Sequence, residues 1–391
     1  MTSSQHDVIV IGAGLAGTSA TCALTAAGHR VALIDTHAVY PPDFRAEKLG
    51  QQQMDQFDRL GLGGPARKAT TPVDEIWVSR FRRLVSRKAV REYGLHYAAL
   101  VNELRAALPP ASPLTVGRVA EIETGPDLQT VTLSDGRHME GRLIVLTTGL
   151  GDVLRRKAGI AKRVLSAKHS VSFGFNLAAP VSAFPFPSLT YYGDALSSRI
   201  AYVTVFPIGE TMRVNLFVYH DPADPWVKAF RASPEACLRD ALPGLARHCP
   251  DLTVAGPVEM RPVDLVIADE YRRDGVVLLG DAFLSPCPIP GTGIGKVLTD
   301  VDRFCTVHLP RWLETPGMTA TKIGTFYDDP IKAASDAHCI HASLYSRAIA
   351  TDPGPAWTAR RWRNFAGRHV LHGLDGLRTA IRPAGASARA H

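Results

Sequence analysis

No stretch of this 391-residue sequence stays apolar for the roughly 18 to 20 positions that a membrane-spanning helix requires. The six cysteines, Cys22, Cys237, Cys249, Cys287, Cys305 and Cys339, form no CxxC pair. The common zinc spacings are therefore excluded, no metal is expected, and a disulfide framework is not suggested. Scattered free thiols fit a reducing compartment. The N-terminal MTSSQHDVIVIGAG lacks the basic, apolar, small-residue order of a secretory signal, so a cytoplasmic protein is expected. A phosphate loop is missing too, although GDAFLSPCPIPGTGIGK at 280–296 ends in glycine and lysine. Pro290 stands at the leading glycine position, and Val297 stands where a hydroxyl would ligate magnesium.

What is present is an ordinary soluble composition, 46% hydrophobic and 21% charged, with length enough for two domains. The net charge of +7 is unevenly placed. SRFRRLVSRKAVR (79–91) carries six basic groups, and residues 352–391 carry seven arginines against two aspartates. No nucleic-acid-binding module accompanies either cluster, so nucleic acid is not an expected partner and solvated basic faces are the favoured reading.

DVIVIGAGLAGTSATCALTAAGHRVALID (7–35) places two β-branched strand runs around an alanine-rich helix. Gly12, Gly14 and Gly17 fall at GxGxxG spacing directly after the first strand, with Leu15 and Ala16 opening the helix. Gly12 permits the tight turn, Gly14 lets a pyrophosphate approach the backbone, and Gly17 allows close helix–strand packing. Asp35 ends the second strand, where an acid accepts hydrogen bonds from ribose hydroxyls and repels a 2′-phosphate. The segment is expected to bind NAD or FAD, with the pyrophosphate at the helix N-terminus.

After Asp35 the chain enters HAVYPPDFRAEKLGQQQMDQFDRLGL, a proline-broken loop and a helix, instead of the continuous alternation of an NAD dehydrogenase. Apolar strands followed by glycine return only at LIVLTTGLGDVLRRKAGI and at GVVLLGDAFLSPCPIPGTGIGKVLTDV. A nucleotide domain interrupted by insertions is implied. On these pieces, spanning residues 7 to about 310, the sequence resembles the FAD-dependent monooxygenases of the aromatic-hydroxylase (group A) type. Their superfamily also holds geranylgeranyl reductases and flavin-dependent halogenases.

The resemblance implies an α/β fold, in which a Rossmann-like FAD-binding domain is interrupted by a β-sheet-rich substrate domain and followed by a helical C-terminal region. The expected boundaries are 1–70, 95–165 and 265–330 for the discontinuous FAD-binding domain, 71–94 and 166–264 for the substrate domain, and 331–391 for the helical extension with its basic tail. By the same resemblance, Arg45 approaches the ribityl and phosphate region, and Asp281, after Gly280, accepts a hydrogen bond from a ribityl hydroxyl. Pro288, Gly291, Thr292, Gly293 and Ile294 form the loop and helix start beside the flavin ring. The sequence departs from the family pattern at Thr148, Gly149, Asp152 and Arg155 in the mid-chain DG motif, at Tyr97 where an arginine is usual, at Leu284 for histidine and at Gly295 for asparagine.

The implied chemistry reduces the flavin with NADH or NADPH. Reaction with O2 then gives a flavin C4a-hydroperoxide, which hydroxylates a hydrophobic, aromatic small molecule. YVTVFPIGETMRVNL is similar to the YxWxFPxxG pattern of geranylgeranyl reductases, with Thr204 in the tryptophan position, so a reductase acting on isoprenoid double bonds without O2 is the alternative. HSVSFGFNL, SLTYYG, RIAYVTVFPIG and RVNLFVYH read as strands of the substrate domain. Tyr191, Tyr192, Tyr202, Phe206 and Pro207 are its candidate pocket residues. Catalytic candidates are His169, as a base toward a phenol, Tyr202, and Lys296, a cation one turn into the helix after the loop.

In the tail from Trp357 to Ile381, Trp362, Phe365, Val370, Leu374, Leu377 and Ile381 fall at near-helical spacing opposite several arginines. This pattern is similar to a basic amphipathic helix making a peripheral contact with anionic lipid. Gly367, Gly373 and Gly376 weaken it, and packing on the protein's own body is the favoured reading.

Overall fold

The structure, a computed structural model, describes residues 6–249 and 251–364. These divide into two compact units. The first holds residues up to Pro72, Glu92–Ser172 and Glu259–Leu344, and the second holds Val73–Arg91, Phe173–Val258 and the chain from Tyr345 onward.

The first unit is organised by a seven-stranded sheet. Strand β1 (His6–Ile11), helix α1 (Leu15–Ala26) and strand β2 (Val31–Asp35) form its opening βαβ segment. β1 pairs in parallel with β2, Val8 opposite Val31, and with strand His138–Leu146, Ile9 opposite Ile144. Strand Val276–Leu278 joins the far end of His138–Leu146, again in parallel. Val8, Ile9, Val10, Leu33 and Ile34 are all inaccessible, as expected of parallel strands covered on both faces. β1, β2, His138–Leu146 and Val276–Leu278 therefore end on a common edge, at Ile11, Asp35, Leu146 and Leu278. The residues just past that edge carry most of the positions singled out from the sequence, as usual for open α/β sheets.

The second unit is built on strands Thr211–Val218, Ile200–Ile208 and Leu189–Tyr192, with the second-unit parts of Ala161–Pro180 (173–180) on one side and of Thr70–Arg80 (73–80) and Arg83–Leu95 (83–91) on the other. Helices Pro225–Ala232 and Pro234–Ala241 follow this group of strands. Phe230 of the first packs on Phe173 and Phe175, with ring centroids 4.5 and 6.1 Å apart. Phe173 and Phe175 share one face by the period-2 rule, so that face is covered by the helix.

Of the C-terminal region expected over 331–391, the described residues are largely helical. Helix Pro330–Thr351 is continuous, and its first part belongs to the first unit, where Lys332, Asp336, Cys339 and Ser343 are buried. Lys332 and Asp336 are drawn in by ion pairs to Asp300 and Lys296. A further helix covers 355–364. Phe365, Val370, Leu374, Leu377 and Ile381 lie outside the described residues.

Candidate active site

Gly12 has φ +104°, and a Cβ there would lie 2.7 Å from the Thr147 carbonyl oxygen. A Cβ on Gly17 would collide with the Gly12 carbonyl. Both positions are closed to any side chain, so β1, α1 and Thr147 are locked together. Gly14 differs, because the nearest atom to a Cβ there is Tyr40 Cε2 at 3.9 Å. Gly14 is the N-cap of α1, whose first turn has no side-chain cap and no acidic residue, while Leu15 and Ala16 are buried behind it. The helix thus presents unsatisfied amides and a partial positive charge above open space, which suits a diphosphate.

Asp35 accepts the Ala13 N–H at 2.6 Å and the His37 N–H at 2.9 Å. Arg105 packs against it, Nη2 to Asp35 Oδ2 at 3.1 Å, while donating through Nε to the Ala13 carbonyl and through Nη1 to the His37 carbonyl, both at 2.7 Å. Arg105 carries no family signature, and its role was not legible from spacing. It ties helix Tyr97–Ala106 to the turn beside Asp35.

A second glycine turn adjoins the first. Gly280 has φ +65°, and a Cβ there would meet Ala16 Cβ and Val297 Cγ2 at 3.3 Å. Asp281 accepts from Arg45 Nη1 at 3.1 Å, and Arg45 Nε donates to Asp43 at 2.5 Å. Asp43 is shared with Arg261 Nη1 at 2.8 Å, which also donates to the Phe44 carbonyl. Burial works against the charge of Arg45, but the carboxylates of Asp281 and Asp43 outweigh it and raise its pKa above the ordinary arginine value. Tyr97 lies under the Arg45 guanidinium, 5.6 Å from ring centroid to Cζ, and its burial pushes the phenol pKa up. At the position where the family places an arginine, this chain therefore has a neutral ring. A second guanidinium is delivered instead by Arg261, 218 residues beyond the Asp43 it pairs with, which no local pattern could have indicated.

The loop after Asp281 leads into helix Gly293–Arg303, whose N-cap Thr292 makes no side-chain cap bond and whose first turn has no acid. A Cβ on Gly291 would meet nothing within 4 Å, so the loop has an open side. Helix Gln51–Arg59 clamps it, with Gln53 Nε2 donating to the Gly291 carbonyl at 3.4 Å and Gln56 Nε2 to the Gly295 carbonyl at 3.1 Å. Ile294 is buried beneath the helix start, and Pro288 begins the turn closed by the Gly291 N–H. The altered DG segment ends in Arg155, buried and reaching the Ala282 carbonyl at 3.5 Å; its burial lowers the arginine pKa.

Lys296 does not face this open side. Its ammonium is inaccessible, donating to the Gly280 carbonyl at 2.8 Å and Asp300 Oδ2 at 2.7 Å, with Asp336 Oδ1 at 3.7 Å. Asp300 Oδ2 also accepts the Gly280 N–H at 2.9 Å, and Lys332 pairs with Asp336 at 2.6 Å and with Asp300 at 3.4 Å. Two lysines and two aspartates thus form a buried set that holds Gly280 through both its N–H and its C=O, with burial raising the Asp336 pKa. Burial opposes the Lys296 charge, yet Asp300 and Asp336 outweigh it and raise its pKa; burial likewise disfavours the Asp300 carboxylate, yet Lys296 and Lys332 outweigh it and lower its pKa. His169 is fully buried in strand Ala161–Pro180, next to Lys168, whose N–H donates to Asp264 at 2.6 Å.

In the second unit the five candidate wall residues divide between two faces. Tyr192 is opposite Tyr202, and Phe206, four residues on, shares their face. Tyr191 is opposite Val203 and shares the other face with Pro207. Tyr191 is buried there, donating to Asp194 at 2.8 Å, and lies edge-on to His248. The five cannot line one pocket, because adjacent residues of a strand point to opposite sides. The Tyr192, Tyr202 and Phe206 face also carries Arg213, opposite Phe206, and Asn215, opposite Thr204. Arg213 donates to Asn176 at 3.2 Å, and Arg80 stacks on Tyr192 with Cζ 3.6 Å from the ring centroid. Asn176 lies on the opposite side of its strand from Phe173 and Phe175, so this aromatic and polar face is not the one covered by helix Pro225–Ala232.

A family model described as the FAD binding domain matches residues 5–306. The chain is similar to the squalene epoxidase of Aspergillus fumigatus, 23% identical, covering 88% of this chain and 75% of that one. It is 25% identical to the kynurenine 3-monooxygenase of Salinispora tropica, covering 80% and 75%. The crystal structure of p-nitrophenol 4-monooxygenase from Pseudomonas putida superposes with a TM-score of 0.74 at 18% identity, over 94% of each chain, which establishes a shared fold.

Proposed function

We propose, from the premise that this chain belongs to the family of the FAD binding domain, that it is an FAD-dependent monooxygenase using NADH or NADPH and O2 to hydroxylate a hydrophobic, aromatic small molecule. The observation that carries the reading is the convergence of the Gly12–Gly17 turn, Asp35, the Arg45–Asp281 pair and the open loop before helix Gly293–Arg303 within one unit. The relatives' names, a squalene epoxidase and a kynurenine 3-monooxygenase, support an oxygen-inserting activity.

The amides of Leu15, Ala16 and Gly17, freed by Gly14, would hold the diphosphate, and Asp35 would accept from the adenosine ribose. Arg45 and Asp281 would hold the ribityl chain, with Gly280 fixing the direction of the turn. Pro288, Gly291, Thr292, Gly293 and Ile294 would lie along the ring, where the N-terminus of the helix favours negative charge. Bound flavin supplies hydride acceptance and dioxygen activation; the chain's task is to bind, orient and exclude water. Lys296 is assigned a positioning role, since its ammonium is engaged on Gly280 and Asp300.

The substrate is assigned to the face carrying Tyr192, Tyr202 and Phe206. Aromatic rings supply apolar contact there, and Arg213 and Asn215 supply polar groups, suiting a ring that bears a polar substituent. Tyr191 and Pro207, on the other face, are assigned to packing.

Two measurements test the reading. Asp281→Ala is expected to weaken FAD binding to the apoprotein by about 10- to 100-fold, the loss of a charge-assisted contact, read by quenching of flavin fluorescence. Aerobic turnover of a panel of phenols and anilines, driven by NADH or NADPH, should incorporate oxygen from O2. Product formation that continues under strict anaerobiosis would sink the monooxygenase assignment and favour isoprenoid reduction.

A further inference from the structure

Two basic segments far apart in sequence meet in the second unit at one exposed aromatic pair. Phe81 occupies the two-residue turn between strands Thr70–Arg80 and Arg83–Leu95, and Trp362 lies on the helix covering 355–364. Their rings stack with centroids 5.7 Å apart and an interplanar angle of 19°. The contact leaves both in water, Phe81 41% exposed and Trp362 60%. The turn itself is unusual. Phe81 and Arg82 have φ of 48° and 62°, a left-handed pair that two-residue hairpins normally assign to asparagine and glycine. Here the left-handed pair is occupied by a large apolar ring and an arginine; the Arg82 stem packs against Gly244, and the Phe81 ring is left partly in water.

The surroundings are cationic. Arg83 and Arg363 have no carboxylate within ion-pairing distance among the described residues, and Arg360 lies over Trp357 at 4.7 Å. Arg82 pairs with Asp194 at 3.6 Å.

We propose that the Phe81–Trp362 tip and its arginines form a docking surface for an anionic lipid bilayer. Aromatic rings prefer the interface between headgroups and acyl chains, and basic residues beside them are attracted by acidic headgroups. The charge complements a bilayer of acidic lipid and opposes a second copy of this chain, whose matching patch carries the same sign. The exposed, stacked rings separate it from a phosphate-tracking nucleic-acid face. This inference does not depend on the reaction assigned above.

Co-sedimentation of the full chain with vesicles of phosphatidylglycerol and phosphatidylcholine tests it. The native protein should sediment with the mixed anionic vesicles and not with phosphatidylcholine alone. Phe81→Ser/Trp362→Ser should weaken that binding at least tenfold, and Arg83→Glu/Arg363→Glu should abolish it, each with unchanged circular dichroism and flavin content. Failure of the native protein to bind anionic vesicles overturns the proposal. So does binding that survives loss of both rings, or equal, ring-independent binding to duplex DNA, which would mark a purely electrostatic patch. A shift from dimer to monomer on Phe81→Ser/Trp362→Ser without vesicles would assign the surface to self-association instead.

Discussion

Gly14→Val is expected to weaken FAD binding by at least about 100-fold while changing apoprotein stability by no more than about 1 kcal/mol, the range of an N-cap substitution. The asymmetry follows from where the new atoms go. A Cβ on Gly14 meets only Tyr40, at 3.9 Å, so the protein itself tolerates the side chain. The space it fills is where the diphosphate must approach the amides of α1. Gly17→Ala is the matched contrast. Its Cβ collides with the Gly12 carbonyl and lies close to Thr147 Oγ1, so the apoprotein itself should be destabilised, by about 1–3 kcal/mol. Isothermal titration of apoprotein with FAD, paired with urea unfolding of the same samples, separates the two effects. Equal FAD affinity for Gly14→Val and the native protein would remove the diphosphate from the helix N-terminus.

Lys296→Met should lower stability by about 3–5 kcal/mol, because Asp300 would stay buried with one of its two cations removed. Thermal unfolding is expected to fall by on the order of 10 °C. The pH dependence carries the diagnostic sign. In the native protein Asp300 has a folded pKa below its unfolded value, so its contribution is present above the ordinary carboxylate range and lost as pH falls through the folded pKa. Lys296 has a raised pKa, so its contribution is full below the ordinary lysine value and lost as pH rises through the folded pKa. Removing Lys296 raises the Asp300 pKa, so the variant's deficit is largest near neutrality and shrinks as acidification protonates Asp300. The deficit should also be partly recovered in Lys296→Met/Asp300→Leu, although the Gly280 N–H then loses its acceptor. A single variant as stable as the native protein at neutral pH would show that the buried set does not hold the turn.

Much of the fold was readable because its signals are local. β1 and β2 announce themselves as β-branched runs, Gly12 and Gly17 as positions where a Cβ has no room, and Asp35 as the acid at a strand end. The returning strands at 143–146 and 276–279 are apolar runs followed by glycine, so the interruption of the nucleotide domain was visible as well. What pattern could not supply is anything that depends on two segments meeting. Arg105 and Arg261 carry no motif, yet they set the charge around Asp35 and Asp43. Lys296 looked available because a helix start was expected to face a ligand, whereas burial beside Asp300 and Asp336 turns its ammonium inward.

A dinucleotide turn follows from a dozen contiguous residues alone, since backbone conformation and helix dipole are local properties. Local pattern likewise shows that later glycine turns return to the same sheet. Which candidates share a site depends instead on how distant segments pack. Register placed Tyr192, Tyr202 and Phe206 on one face and Tyr191 and Pro207 on the other, because side-chain direction alternates and a reading without register cannot choose. Ion pairing across segments decided the rest: a charge leaves water only where an opposite charge arrives, and that arrival is a long-range event.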